Sequence, residues 1–339
     1  MEHNNNYNQL DIYNEQRENA EYGSMRRAGL FFFLLMLFEI PLAVVINMVQ
    51  LRFPSEKETL ISVLMTQGYF LIAALIYILK TGKSFKNNLH IRSYKLSSFF
   101  LSILVLICAE PMANCLNIFS QFFTNNATSQ AIFEITENVP IWLAVVIVGC
   151  LPGFIEETIY RGIMYYAFRR YSIFAGVVIS ALSFGLMHLN FNQMLYAVYF
   201  GVIFALLVEA TGSLVSTMII HMLFNAISTG YIYILPKMLV TLQRLGVKEA
   251  DVTMDELLNK TPTNAELIET LKLYIPMAVI GILLAILLIR KIADINGRTL
   301  TWNFVCKKNE KTLKQNEKPI NVWIVLGWLF CLVISIVNM

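Results

Sequence analysis

Residues 141–168 read IWLAVVIVGCLPGFIEETIYRGIMYYAF, an apolar run interrupted by Glu156, Glu157 and Arg161. About 20 apolar residues suffice to cross a bilayer as a helix, so this run predicts a membrane span. It also predicts that three charges lie inside that span. Outward from it, further apolar segments cover 28–50, 59–79, 97–119, 171–189, 193–211, 213–234, 273–291 and 320–338. The expected fold is all-α: a polytopic helical membrane protein of eight to nine transmembrane helices with a polar cavity in the bundle.

Composition agrees. Of 339 residues, 57% are hydrophobic and 14% charged, against about 45–50% and about 25% in soluble chains. A water-soluble enzyme is excluded on that ground. The net charge of +3 gives no argument for a nucleic-acid partner. Cys108, Cys115, Cys150, Cys306 and Cys331 show no C-x-x-C pair, so neither a zinc site nor a disulfide framework is expected from them.

The first 25 residues are polar, with six asparagines, five acids and no apolar h-region. They read as a cytoplasmic tail rather than a signal peptide. The membrane body then runs over 26–339. Lys80, Lys83, Lys86, Arg92 and Lys95 crowd one loop, and residues 290–318 hold eight Lys or Arg. Positive loops stay inside, so the N-terminus is expected in the cytoplasm of a multi-pass protein of the cell membrane. Residues 119–140, with Glu134, Glu137 and no Lys or Arg, suit the outer side. Residues 235–272 form the longest outer segment, with a capping box at Thr263–Glu266 opening a short helix.

Ionisable residues in apolar spans are costly and point to function. They are Glu39, Glu110, Glu156, Glu157, Arg161, His188, Glu209 and His221, with Asn225 beside the last. Glu157 and Arg161 stand at i and i+4 in the favourable order for a pair. Glu156 points about 100° away from Glu157 on a helix, so it is expected to be free while its neighbour is neutralised. Phe184 and His188, and His221 and Asn225, each share a helix face. At about 1.5 Å rise per residue, Glu156, His188, His221 and Asn225 lie roughly 18, 25, 12 and 18 Å from the cytoplasmic ends of their spans. Tilt absorbs such differences, so the four can meet at one level.

Such a set can hydrolyse a peptide bond. Glu156 takes a proton from water, His188 relays it, and His221 with Asn225 donates to the oxyanion. No cofactor is required, although Glu156, His188 and His221 also make a donor set suited to zinc. No H-E-x-x-H occurs. Ser183 and Ser213 read as small packing residues. Glu39 and Glu110, each close before a proline, are expected to pack or line a wet cavity. Glu209 is expected to snorkel to the interface. Non-enzymatic readings are a membrane scaffold, a bacteriocin-immunity protein or a proton-coupled transporter.

Glu156-Glu157-x-x-x-Arg161-Gly162, Phe184-x-x-x-His188 and His221-x-x-x-Asn225, in this order, resemble the CPBP (ABI) family of CAAX proteases and bacteriocin-processing proteins. The resemblance covers about 140–230. It implies an intramembrane glutamic endopeptidase in which Glu156 activates water, His188 assists, and His221 and Asn225 hold the oxyanion. Glu157, Arg161 and Phe184 would support them. The implied substrate is a hydrophobic or lipidated peptide or a membrane protein reached within the lipid bilayer. The composition is like that of a low-GC bacterium, so a bacteriocin leader or peptide pheromone is expected over a prenylated protein.

Overall fold

The computed structural model describes residues 24–53, 55–80, 90–246, 261–309 and 318–338. Nearly all of the polar N-terminal tail, most of the basic 80–96 loop, the centre of the 235–272 segment and residues 310–317 lie outside the described residues. The described residues form helices and no strand. The chain is an all-α multi-pass membrane protein.

Helix α1 (Met25–Leu37) continues, after a break at Phe38, as α2 (Glu39–Gln50). The break follows from Pro41, whose ring clashes with the carbonyl four residues before it. Next come α3 (Glu58–Lys80), α4 (Leu96–Ser120) and α5 (Ala127–Asn138). Helix α6 spans Ile141–Arg169. It is widened into π turns at Val145–Cys150 and Thr158–Tyr165, on either side of the α-helical Leu151–Glu157. Helices α7 (Ile173–Leu186), α8 (Phe191–Thr211), α9 (Leu214–Arg244), α10 (Asn264–Ile295), α11 (Trp302–Cys306) and α12 (Val322–Val337) complete the order.

Among the described residues, seven helical segments are long and apolar enough to cross a membrane: α1 with α2, α3, α4, α6, α8, α9 and α10. The expected spans at 171–189 and 320–338 are shorter helices. Helix α7, with 14 residues, is about 21 Å long, less than the hydrocarbon core of about 30 Å. A helix this short does not cross that core by itself, and irregular backbone at membrane depth persists only against protein or a wet cavity. Helix α12 ends beside the turn from α7 into α8, since the Asn338 carboxamide donates to the Leu189 carbonyl at 3.0 Å.

Two further differences concern the segments expected on the outer side. The 119–140 region contains α5, which the apolar pattern did not mark. The flanks of 235–272 are helical, because α9 runs on to Arg244 and α10 begins at Asn264. The capping box is present, with Thr263 and Glu266 bonding reciprocally.

Local sequence sets the tight joints. Gly212, at φ +71°, ends α8 in the left-handed conformation that glycine adopts without strain. The next residue, Ser213, caps α9 by accepting from the Val215 amide. Gly201 lets α8 lie against α7, since a methyl there would come within 2.7 Å of the Ala181 Cα. Helices α6 and α8 are central: 50% and 67% of their apolar windows are buried, against 22–33% for the other membrane-length segments. Helix α10 packs along α4, and α12 packs along α1. Outward rows such as Ile76 and Leu79 on α3, or Ile280, Leu283 and Leu287 on α10, stay exposed. Lipid is the solvent that suits them.

Candidate active site

The site begins on the short α-helical piece between the two π turns of α6. Wide turns of this kind recur at functional sites because they shift side chains off the regular helical register. Glu156 and Glu157 are both buried there. Helix α9 approaches this piece closely at Gly153, where a methyl would meet Met222 Cγ at 2.6 Å and its backbone nitrogen at 2.8 Å. The residue before Met222 is His221, so the glycine sets how near that ring comes to the acids.

The His221 ring lies between the two glutamates. Its Nδ1 is 3.0 Å from Glu157 Oε1, and its Nε2 is 3.9 Å from Glu156 Oε2. Both acids thus face one ring, which corrects the expectation that Glu156 is free while its neighbour is neutralised. They diverge by about 100°, but an imidazole has a nitrogen on either side and fills the wedge between them. A carboxylate only accepts, so Nδ1 carries the proton of its hydrogen bond.

Glu157 also accepts from Arg161 Nη1 at 2.8 Å, with both side chains fully buried. The guanidinium lies 4.2 Å from the centre of the Phe184 ring and 5.2 Å from that of Phe204. Phe184 in turn meets both imidazoles in T-shaped contacts, with centroids 5.2 Å from His188 and 5.7 Å from His221. It thereby packs the arginine and both histidines around one ring.

His188 is not on the helix. It lies two residues past the end of α7, where Nδ1 is 2.9 Å from the Phe184 carbonyl. The carbonyl only accepts, so Nδ1 donates, and in the neutral ring Nε2 keeps its lone pair. The histidine caps one of the carbonyls that a helix end leaves open. It is half-buried. Asn225 is half-buried one turn beyond His221. Its carbonyl accepts from Thr229, and its carboxamide has no hydrogen bond to another described residue.

Glu156 is not free of partners. Its Oε1 accepts from Gln67 Nε2 on α3 at 3.2 Å, and Gln67 is buried. Sequence reasoning missed this residue because an amide carries no charge and Gln67 falls in no motif. The available signal was a polar side chain in the middle of the 59–79 run.

The other intramembrane acids divide. Glu209 does not snorkel. It is buried in a bidentate pair with Arg169, at 2.6 and 2.7 Å, and also accepts from the Tyr165 hydroxyl. Arg298, after α10, reaches both its side chain and its carbonyl. Glu110 accepts from Asn114 on its own helix at 3.4 Å. Glu39 leaves Oε1 buried without a hydrogen bond to a described residue. Ser183 and Ser213 are more than packing: Ser183 accepts from Trp328 Nε1 at 2.9 Å, and Ser213 is the cap of α9. As for the zinc alternative, among the described residues no three His, Cys, Asp or Glu side chains gather as a set that could hold a metal ion.

Residues 138–227 match the family model for type II CAAX prenyl endopeptidases, Rce1-like. That segment holds both glutamates, Arg161, Phe184, both site histidines and Asn225, and the match bears out the family resemblance. It supports, at family level, a CAAX-type intramembrane endopeptidase. No curated protein and no solved structure matches the chain.

Proposed function

We propose that the chain is an intramembrane glutamic endopeptidase that cuts a hydrophobic or lipidated peptide, or a membrane protein, by water activated at Glu156. The observation that carries this reading is the His221 ring held between Glu156 and Glu157, with Arg161 bound to the latter. With a proton on each ring nitrogen, His221 and Arg161 balance the two carboxylates, as buried charges require. In the reaction Glu156 takes a proton from water, and the water oxygen bonds to the scissile carbonyl carbon. Negative charge then moves from the carboxylate to the carbonyl oxygen. Both positions lie within reach of the same imidazolium, so little has to reorganise. The Asn225 carboxamide supplies a second donor to the oxyanion. His188, with a lone pair on Nε2, carries the proton from Glu156 to the departing amine as the C–N bond breaks.

The turn bearing His188 gives water and peptide a polar place among the helices. Apolar helix faces around it favour a lipidated or hydrophobic peptide. The basic 80–96 and 290–318 segments support a cytoplasmic N-terminus in the cell membrane.

The test is a proteomic comparison of membranes and secreted peptides from cells carrying the wild-type protein or Glu156→Gln. A fragment that disappears with Glu156→Gln, while the variant accumulates normally, is the expected result. Identical fragment patterns at identical rates would reject the proposal.

A further inference from the structure

We infer that Gln67 is a positioning residue for Glu156 and its water, supplied by a helix outside the matched segment. The inference rests on the endopeptidase reading and assigns a role to a residue that the motifs do not include.

Gln67 Nε2 lies 3.2 Å from Glu156 Oε1. Since a carboxylate only accepts, this contact fixes which end of the amide faces it. The other end, Gln67 Oε1, is then an acceptor, and it is buried without a hydrogen bond to another described residue. A buried acceptor left without a partner is destabilising, so a donor is due at this position. The amide geometry keeps Oε1 close to the carboxylate that Nε2 binds. A water resting on Glu156 has two hydrogens to place. One goes to the carboxylate as the base, and Gln67 Oε1 can accept the other. That leaves a water lone pair directed at the substrate.

The same contact separates the two oxygens of Glu156. Oε1 is held by the amide, whereas Oε2 faces the His221 Nε2 across 3.9 Å. The proton from water therefore goes to Oε2, on the side where the imidazolium supports the new charge. Gln67 holds the carboxylate plane in that orientation.

The test uses the full-length protein in liposomes and an internally quenched peptide spanning a cut site found in the proteomic comparison. Gln67→Met keeps side-chain length and removes both polar ends. It is expected to lower kcat about 10–100-fold with KM within about twofold. Gln67→Glu, when protonated, again offers one donor and one acceptor, and is expected to recover most of kcat. Wild-type kcat in Gln67→Met, with Glu156→Gln inactive, would overturn this inference alone. Wild-type cleavage by Glu156→Gln would overturn the endopeptidase reading itself. Equal kcat loss in both Gln67 variants together with a lowered thermal midpoint would assign Gln67 to packing and overturn its positioning role. An activity-independent measurement is the infrared carboxylate band that vanishes in Glu156→Gln. Loss of the amide donor in Gln67→Met is expected to shift that band, and an unshifted band counts against the contact.

Discussion

The Nε2 of His221 and the Oε2 of Glu156 face each other at 3.9 Å, too far for a direct hydrogen bond and close enough for one reacting group between them. On the far side of the ring, Nδ1 is occupied by Glu157. His221→Ala is therefore expected to cost about 10²–10³-fold in kcat, the scale of losing one oxyanion donor. Initial rates on the quenched peptide check it. A KM effect with kcat preserved would assign His221 to substrate binding instead.

Arg161 sits fully buried between Phe184 and Phe204 with Glu157 as its ionic partner. Arg161→Met strands the Glu157 charge and is expected to destabilise the fold by about 3–5 kcal/mol. Replacing both together, as Glu157→Leu with Arg161→Met, removes both charges and is expected to restore much of that stability without restoring cleavage. Thermal midpoints in detergent separate the two cases.

How far the sequence could be read depended on which signal each feature leaves. The nine apolar helical regions were legible because a bilayer demands long apolar runs, and each run left its mark. Helix α5 was not, since its short polar–apolar face resembles a loop when only long apolar runs are sought. The Glu157–Arg161 pair was legible because i,i+4 spacing is local. Glu209 was misread because its partner Arg169 lies 40 residues away and meets it only through packing. His188 was rightly placed near a span end but wrongly placed on a helix. No pattern in SFGLMHLNFN shows that α7 stops at Leu186.

The Glu209–Arg169 pair ties α6 to α8 away from the reacting groups. Arg169→Ala is expected to lower the thermal midpoint, as breaking a buried pair does, while the folded fraction keeps its kcat. Titrating active enzyme with a tight inhibitor or by burst amplitude makes the distinction. A kcat loss at full folding would place the pair in the reaction.

Gly153 and Gly68 form a matched pair of probes. Gly153→Val drives a side chain into the Met222 backbone and is expected to separate α9 from α6, with loss of cleavage. A methyl group at Gly68 would meet nothing within 4 Å, so Gly68→Ala is expected to be neutral or stabilising by about 0.4–1 kcal/mol. Loss of activity in Gly68→Ala alone would contradict the packing described for α3.

Exhaustive chelation tests the zinc alternative directly. Cleavage by wild-type protein is expected to persist within about twofold, because the proposed mechanism assigns the proton transfers to glutamate and histidine. Loss on chelation with recovery on added zinc would demand a metal in the reaction.

The wide turns at Thr158–Tyr165 act as a phase adjuster between two charge clusters on one rod. Upstream stands the pair of acids, and downstream stands Arg169 with its lock on Glu209. Shortening that stretch to regular α-helix would change how the downstream half is rotated relative to the upstream half. Catalytic alignment and the anchoring of the rod's lower end would then no longer be satisfied together, so length in this segment is as constrained as any side chain in it.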